Sequence, residues 1–535
     1  MPYYIKTKTN KIKFILNKQK IYLGCLFVIL LIFLGLRFYD LTILPAMNDE
    51  AIYLQWANWI KGNWASNKFI SLTMDDKPFL HPWFLALGAS LFKLPDPVFS
   101  GRFNQALFSI LGLLGFFWLI NLLGWSRPMK IFGLLLYSIN PFILFYDRLA
   151  LSDGTLSILS IYFIVFFLLL FKEKDKAIFQ FSLRRLGIIL TLGGLMALMQ
   201  LIKTSALLIF ILPPFYLLLA FFGRRFKAAP FKKTIFDYGL SCLLALAIYF
   251  IIIPADYYFA LGSKHNQFIL TLNQILKLPY LAWWSNFKLI FLVLFTYLTP
   301  FVFLLSFLGF FKKKFAGLTP GWIKFYCLAP LVIIVFIAFN PAPRYFLFVT
   351  PCFIVLATSS MVFLIDYFKK SFRGQLIKNI LIALCLALLI FPSFYDSILL
   401  ITQPPNFPWL KQDRITFING WSSGYGLVGA LDYLKTKSQS GQLIFTKISL
   451  GYPIYLFLLY ANSFPYLRVA DINLTDIESR LEAAGRTESV KPILLLLDSG
   501  RSIFYDSLEQ SQFCRNKEVF YRPDNINYVT LCFVN

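Results

Sequence analysis

Charge is scarce in this chain of 535 residues: Asp, Glu, Lys and Arg together make up only 14%. A soluble domain carries about 25%. With 58% hydrophobic residues beside that shortage, a soluble enzyme, a disordered chain and a nucleic-acid reader are all excluded. Acids are scarcer still, 26 against 51 Lys and Arg, which leaves a net charge of +25. Histidine is nearly absent. His81 and His265 are the only two, so a His-rich zinc site is impossible. Of seven cysteines, Cys25, Cys242, Cys327, Cys352 and Cys385 lie in apolar runs and read as small buried hydrophobes. No CxxC spacing suggests a metal. Cys514 and Cys532 form the one pair in a polar region, and a disulfide between them requires an oxidising compartment. Internal repeats and low-complexity tracts are also missing.

What is present is a series of long apolar runs. A spanning helix needs about 20 such residues. Residues 21–39 qualify, behind a leader with six lysines and no acid, and read as a retained helix whose N-terminus stays inside. Further runs cover 101–124, 130–146, 152–171, 186–202, 204–222, 234–253, 287–310, 322–339, 346–367 and 376–394. The stretch 82–94 is also apolar, but it reaches only about 20 Å as a helix, short of a hydrocarbon core about 30 Å thick. Charge parity decides its place. If it lies in the interface, the inner loops and the N-terminus collect 24 basic residues against the two acids Glu173 and Asp175. If it crosses, every later basic cluster moves outside. The positive-inside rule therefore predicts 11 spans, the N-terminus inside and the C-terminus outside. The +25 records topology rather than an acidic partner, and nucleic acid is not expected as one. From about Thr402 the balance is nearly neutral, with 13 basic and 12 acidic residues. Short β-like runs at 442–446, 466–469, 492–497 and 528–534, with a helical segment at 475–484, predict a small extracytoplasmic α/β domain. The organisation expected is a basic N-terminus (1–20), a transmembrane domain (21–397) and the outer domain (398–535).

Two outer loops are long, 40–100 and 254–285, and long loops in compact proteins are usually functional. In the first, Asn48-Asp49-Glu50 opens a helix whose Ile52, Trp56, Trp59 and Ile60 form one apolar face, suited to the outer membrane surface. Either Asn48 caps that helix while the acids oppose its dipole, or a carboxylate there deprotonates an acceptor hydroxyl. Asp75-Asp76-Lys77-Pro78-Phe79-Leu80-His81-Pro82 follows, with two prolines that interrupt regular helix. It is either a solvated interfacial turn, or Lys77 binds phosphate and His81 donates a hydrogen bond. In Tyr146-Asp147-Arg148-Leu149-Ala150-Leu151-Ser152-Asp153, two acids and an arginine at a membrane boundary are costly unless paired or used. Arg148 either positions the loop through a salt bridge or contacts substrate. Lys203 and Arg344, the latter followed by Tyr345, put cations at headgroup depth. Lys203 either snorkels or binds phosphate, and the guanidinium fork of Arg344 suits phosphate better. Carboxylates, cations and an apolar bundle at one depth fit a lipid-phosphate substrate.

These residues give the chain a resemblance. It resembles the GT-C glycosyltransferases that use polyprenyl-phosphate sugars, in particular the protein O-mannosyltransferase and aminoarabinose-transferase group, glycosyltransferase family 39. Asn48-Asp49-Glu50 is similar to the acidic motif of that group's first outer loop. Asp76-Lys77-Pro78-Phe79-Leu80 is similar to its Lys-Pro-Pro-Leu segment, with Phe79 in place of the second proline. Gly101-Arg102-Phe103-Asn104-Gln105-Ala106-Leu107-Phe108 resembles its Arg-Leu-Pro-Ser-Ala-Leu segment, and Arg148-Leu149-Ala150-Leu151-Ser152-Asp153 its second acidic motif. Gly420-Trp421-Ser422-Ser423-Gly424-Tyr425-Gly426 resembles a segment before the C-terminal domain of bacterial members. The resemblance covers residues 20–350 well and the rest loosely.

The resemblance implies a polytopic α-helical GT-C-type membrane protein. It would have about 11 transmembrane helices, interfacial helices in the first outer loop and a small C-terminal extracytoplasmic α/β domain. It further implies an inverting glycosyltransferase of the cytoplasmic membrane, moving a hexosyl or pentosyl group from a polyprenyl-phosphate donor to an acceptor hydroxyl on a protein, lipid or glycan at the outer face. Asp49 would be the general base, Glu50 its support and Asp153 the second acid. Lys77, His81, Arg148, Lys203, Arg344 and Tyr345 would line the substrates, with membrane lipids around them. No cofactor is required, although Asp49, Glu50, Asp153 and His81 would allow a divalent metal. The alternative is a flippase or transporter of lipid-linked glycans. That would need ionisable residues deep within spans, where the sequence has almost none.

Overall fold

The structure, a computed structural model, describes residues 2–172, 182–223, 228–257, 268–311, 318–372, 374–437, 443–446, 454–461, 468–471, 493–496 and 509–534. The expected helix at 475–484 and His265 lie outside them. Among the described residues, seven helices are long and apolar enough to cross a bilayer: Gln19–Phe38, Pro97–Leu122, Ser152–Lys172, Leu183–Ile202, Phe231–Ile252, Pro343–Ser371 and Gln375–Thr402. Two bent pairs, Arg127–Ile139 with Pro141–Asp147 and Tyr280–Tyr297 with Pro300–Phe310, raise the number to nine if each is one span. Ala206–Phe222 and Gly321–Ile337 are shorter apolar helices. The chain is a multi-pass membrane protein, but the number eleven is not reproduced by length and composition.

The bends have a local cause. A residue before proline avoids the α region. Asn140 accordingly takes an extended conformation before Pro141, and its side chain accepts from the Ile143 N–H at 3.1 Å to start a new helix. The axis turns by 59° there. Thr299 before Pro300 adopts a positive φ of 68°, which a β-branched residue rarely does. The apolar run 287–310, read from sequence as one straight span, folds there by 115°. Leu80–Phe92 is a short helix of 13 residues, as its place outside the spans requires. Pro82 does not break it. It sits in the first turn, where a missing N–H costs nothing.

The chain divides into two compact units. The first comprises Met1–Tyr39, Phe69–His81 and Phe103–Thr402. Its centre includes an aromatic cluster in which Phe167 and Tyr216 pack on Trp322 at 4.5 and 5.3 Å between centroids. Two buried ion pairs lie among its described residues, and pairing is what burial of charge demands. Arg185 grips Asp237 at 2.6 Å with both side chains fully buried. Arg37 donates through Nε and Nη2 to Asp147 Oδ2 at 3.1 and 2.9 Å. The outer surface is apolar: Ile251 is 82% exposed and Leu281 and Phe222 76%. Such a surface requires lipid around it.

The second unit comprises Asp40–Lys68, Pro82–Arg102 and Gln403–Asn535. Its sheet has the order β2-β1-β3-β5-β4, from β1 (Leu443–Thr446), β2 (Arg468–Asp471), β3 (Ile493–Leu496), β4 (Asn516–Tyr521) and β5 (Tyr528–Phe533). β1 pairs in parallel with β2 and β3, while β5 is antiparallel to β3 and β4. Central β3 is wholly buried, as its Ile-Leu-Leu-Leu run suggests. Edge strand β4 escapes the sequence reading because it opens Asn-Lys-Glu and is mostly exposed. Cys514 and Cys532 form a disulfide across the open end of the β4–β5 hairpin. The other five cysteines are free thiols.

Alkylation of the denatured, unreduced protein is therefore expected to label five cysteines, and all seven after reduction. Intact mass reads the difference, and seven labels without reductant would disprove the bridge.

Candidate functional site

In the second unit, Asp49 and Glu50 occupy the first turn of the Asn48–Gly62 helix, where carboxylates meet the positive end of its dipole. Its cap differs from the sequence expectation. Met47, not Asn48, holds the cap position, and its sulfur accepts from the N–H groups of Asp49 at 3.0 Å and Glu50 at 3.3 Å. Asn48 is already helical, and its N–H donates to the Ser422 carbonyl at 2.8 Å. Ile52, Trp56 and Ile60 are buried in the protein instead of lying on a membrane surface. Trp59 meets the Tyr455 ring edge-on at 6.0 Å. Amphipathic spacing specifies an apolar neighbour, but not whether it is lipid or protein.

Glu50 is fully buried and bound by both oxygens. Arg102 Nε donates to Oε1 at 2.8 Å and Nη2 to Oε2 at 2.6 Å. Arg102 Nη1 donates to the carbonyls of Leu41 at 2.7 Å and Leu44 at 2.5 Å. This two-pronged pairing is the strongest carboxylate–cation geometry. It gives Glu50 a structural task, while neighbouring Asp49 remains half-buried. The segment 420–426 braces the same place. Gly424 lies so near that a Cβ would come within 2.7 Å of Pro45 Cβ, so the close approach needs glycine. The Tyr460 phenol accepts from the Ala46 N–H at 2.9 Å, and burial pushes its pKa up to about 12.

In the first unit the sequence 146–153 divides its work. Asp147 pairs with Arg37, and Arg148 Nη1 donates to the carbonyls of Leu36 (2.7 Å), Arg37 (3.2 Å) and Tyr39 (2.7 Å). Arg148 thus closes the C-terminal end of the first long helix, whose last carbonyls lack partners in the helix itself. Asp153, 6% exposed, sits in the first turn of Ser152–Lys172 and forms an ion pair with Lys203. Lys203 is the C-cap of Leu183–Ile202, so acid and base each lie at the helix end whose dipole favours them. The Lys203 ammonium is 5.3 Å from the centroid of the Tyr345 ring, a cation–π distance. Gly154 admits no side chain, because a Cβ would collide with the Tyr146 carbonyl and the Gln105 amide.

His81 is fully buried. Its Nε2 is 3.2 Å from the Ala150 carbonyl, and its Nδ1 is 3.4 Å from Thr155 Oγ1, whose one proton is directed to Gln105 Oε1 at 2.9 Å. A carbonyl can only accept, so Nε2 carries the proton. Burial pushes the His81 pKa down to about 4, against the opposing pull of the Ala150 carbonyl and Asp153. The neutral ring holds the turn that leads into Asp153. Lys77 pairs with Asp75 at 2.8 Å and is partly exposed. Arg344, half-buried, precedes Tyr345 in the 3₁₀ segment Pro343–Val349. The structure thus joins Asp153, Lys203 and Tyr345, with His81 behind them. Arg37 and Thr155 were missed from sequence, and Arg102 and Gln105, quoted there only within a motif, were given no role. For Arg102 and Arg37 the signal was a guanidinium at the end of an apolar run. No group of three or more His, Cys, Asp or Glu able to hold a metal occurs among the described residues, and no step below passes through one.

No family model matches the chain, and no curated protein matches it by sequence. Solved structures do match. ArnT from Cupriavidus metallidurans in the apo state aligns over 96% of this chain and 98% of its own, with a TM-score of 0.59 and 11% identity. The same protein bound to undecaprenyl phosphate aligns over 95% and 97%, with a TM-score of 0.54 and 12% identity. The Archaeoglobus fulgidus oligosaccharyltransferase in complex with Zn and sulfate aligns over 88% of this chain and 67% of its own, with a TM-score of 0.56 and 12% identity. The chain therefore has the GT-C fold that its motif order suggested.

Two outcomes follow from the geometry. Arg102→Met leaves Glu50 buried without its counter-ion and is expected to cost about 3–5 kcal/mol of stability. The double variant Glu50→Gln/Arg102→Met should recover part of that loss in thermal unfolding of the purified protein. His81 in an unfolded chain titrates near 6.5, above its native value of about 4. Acidification from about 6.5 to about 4 therefore protonates the unfolded chain first and destabilises the native one. His81→Gln should flatten that part of the stability–pH profile and leave the region above pH 7 unchanged.

Proposed function

We propose that the chain is an integral-membrane inverting glycosyltransferase that moves a sugar from a polyprenyl-phosphate donor to an acceptor hydroxyl. The observation that carries this reading is the fold likeness over nearly the whole chain to ArnT, one of whose structures holds undecaprenyl phosphate. The motifs favour the protein O-mannosyltransferase and aminoarabinose-transferase group within the GT-C superfamily. Asp49 is the general base. It lies in a helix start held by Met47, Ser422 and the neighbouring Glu50–Arg102 pair, and its half-exposure lets an acceptor reach it. Glu50 is a positioning residue.

The acceptor oxygen attacks the anomeric carbon, and its proton passes to Asp49. The bond from that carbon to the phosphate oxygen breaks with inversion, and the electron pair leaves on polyprenyl phosphate. A fixed cation where this charge develops lowers the barrier. Lys203 serves there, oriented by Asp153 and Tyr345, with Lys77 and Arg344 as further phosphate contacts. Arg148 and His81 act through the turn they hold. The Cys514–Cys532 disulfide supports an oxidising, outer compartment for the C-terminal region. The lysine-rich N-terminus then lies on the inner side of the cytoplasmic membrane.

The first check is mass spectrometry of lipid copurified with the protein, which is expected to reveal a polyprenyl phosphate or its glycoside. With that donor, Asp49→Asn is expected to lower transfer by about 10²–10⁴-fold while thermal unfolding stays unchanged. Turnover near the wild-type rate would remove Asp49 from the role of base.

A further inference from the structure

A cavity of about 250 Å³ lies in the second unit, lined by the Asn48–Gly62 helix, the Leu80–Phe92 helix and the start of Pro97–Leu122. Leu54, Ala57, Asn58 and Lys61 form one stripe of the first helix, and Leu85 with Ala89 forms one of the second. Most of the lining residues are apolar, but polar and apolar atoms share the exposed wall about equally, and the polar side chains are Asn58, Lys61 and Ser100. Lys61 is exposed, and Asn58, three residues before it in the same helix, is half-buried. Ser100 also lines the cavity. It is 2% exposed, and its Oγ is buried with no hydrogen-bond partner in the protein. A buried hydroxyl in that state is costly unless something else completes it. One cation and two hydrogen-bonding side chains beside an apolar wall recognise an oxyanion that carries hydrocarbon.

Two observations say which amphiphile. Leu87 and Leu91, on the face of the Leu80–Phe92 helix opposite Leu85 and Ala89, are 60% and 67% exposed, as a helix in contact with bilayer would be. Lys61 follows Asp49 by twelve residues in one helix, about 18 Å at about 1.5 Å per residue. A phosphate on Lys61 is then too far from Asp49 for its sugar to be the one transferred. The volume is below the roughly 300–1,000 Å³ of sites that enclose a whole small molecule, and it fits a headgroup whose chains continue outside. We propose that this cavity holds the head of an anionic glycerophospholipid from the surrounding bilayer. The phosphodiester lies on Lys61 and Asn58, the glycerol oxygens meet Ser100, and the first methylenes lie on Leu85 and Ala89. The choice of a resident lipid over the donor rests on Asp49 being the base.

The test is native mass spectrometry of the full-length protein in detergent, titrated separately with phosphatidylglycerol, phosphatidylcholine, undecaprenyl phosphate and inorganic phosphate. Phosphatidylglycerol is expected to bind saturably, at least tenfold tighter than phosphatidylcholine. Lys61→Glu, which alters an exposed side chain, should weaken it at least tenfold with unchanged thermal unfolding, and Ala89→Phe should do the same by filling the cavity. Asp49→Asn should leave this binding intact, so a failure of the catalytic reading is seen in transfer and a failure of the lipid site in binding. Equal affinity in Lys61→Glu, equal binding of phosphatidylcholine, equal binding of inorganic phosphate alone, or displacement of phosphatidylglycerol by undecaprenyl phosphate at equal concentration would each overturn the assignment.

Discussion

A guanidinium cannot shed its charge, so where water does not reach, its N–H groups must be spent on the protein. Arg102 is such a group, 1% exposed, and its demands shape the second unit. Two donors take both oxygens of Glu50, and Nη1 takes the carbonyls of Leu41 and Leu44. The loop entering the acidic helix and its first turn are thereby held by one planar side chain. Asp49 is next to Glu50 in that turn, so its position follows from Arg102 without contact between them being needed. The Ser422 carbonyl and the Tyr460 phenol fasten the backbone at Asn48 and Ala46 from distant parts of the sequence. On the proposed mechanism Asp49 is the base, and a base has to be placed to within fractions of an ångström to act; the C-terminal region supplies part of that placement.

Much of the fold was legible because membranes impose simple rules. Apolar length marked most of the spans. The thirteen-residue helix Leu80–Phe92 was recognised as too short to cross. The acidic motifs stood out because charge is otherwise so rare. What was not legible depended on partners far apart in sequence. Nothing near Glu50 announces Arg102, and nothing near Asp147 announces Arg37. The face of Ile52, Trp56 and Ile60 gave the right periodicity but the wrong neighbour, since protein and lipid are both apolar. Strand β4 was hidden by its polar edge, and the 115° turn before Pro300 by the unbroken hydropathy across it.

The scarcity of charge noted at the outset has a structural consequence. Within the membrane part three ion pairs stand among the described residues: Arg37 with Asp147, Arg185 with Asp237, Lys203 with Asp153. The first two tie elements together. The third differs in its surroundings, because Lys203 retains 17% side-chain exposure and lies over an aromatic ring. A pair that is partly exposed can exchange partners, which a pair sealed in apolar packing cannot do without a large desolvation cost.

On the proposed mechanism, that difference explains why the second acid is kept beside a cation. Before substrate binds, Asp153 neutralises Lys203 and holds it over Tyr345. An arriving phosphodiester offers the same ammonium a competing anion, so the cation is not stripped of a counter-charge at any stage. As the glycosidic bond breaks, negative charge grows on the phosphate and draws Lys203 further toward it. The carboxylate of Asp153, relieved in part of its partner, is then a stronger acceptor for a hydroxyl of the sugar or acceptor. Helix dipoles favour both ends of this exchange, since Asp153 stays at an N-terminus and Lys203 at a C-terminus throughout. The stabilisation therefore increases along the reaction coordinate, which is the condition for a contact to accelerate the reaction rather than only bind its substrate.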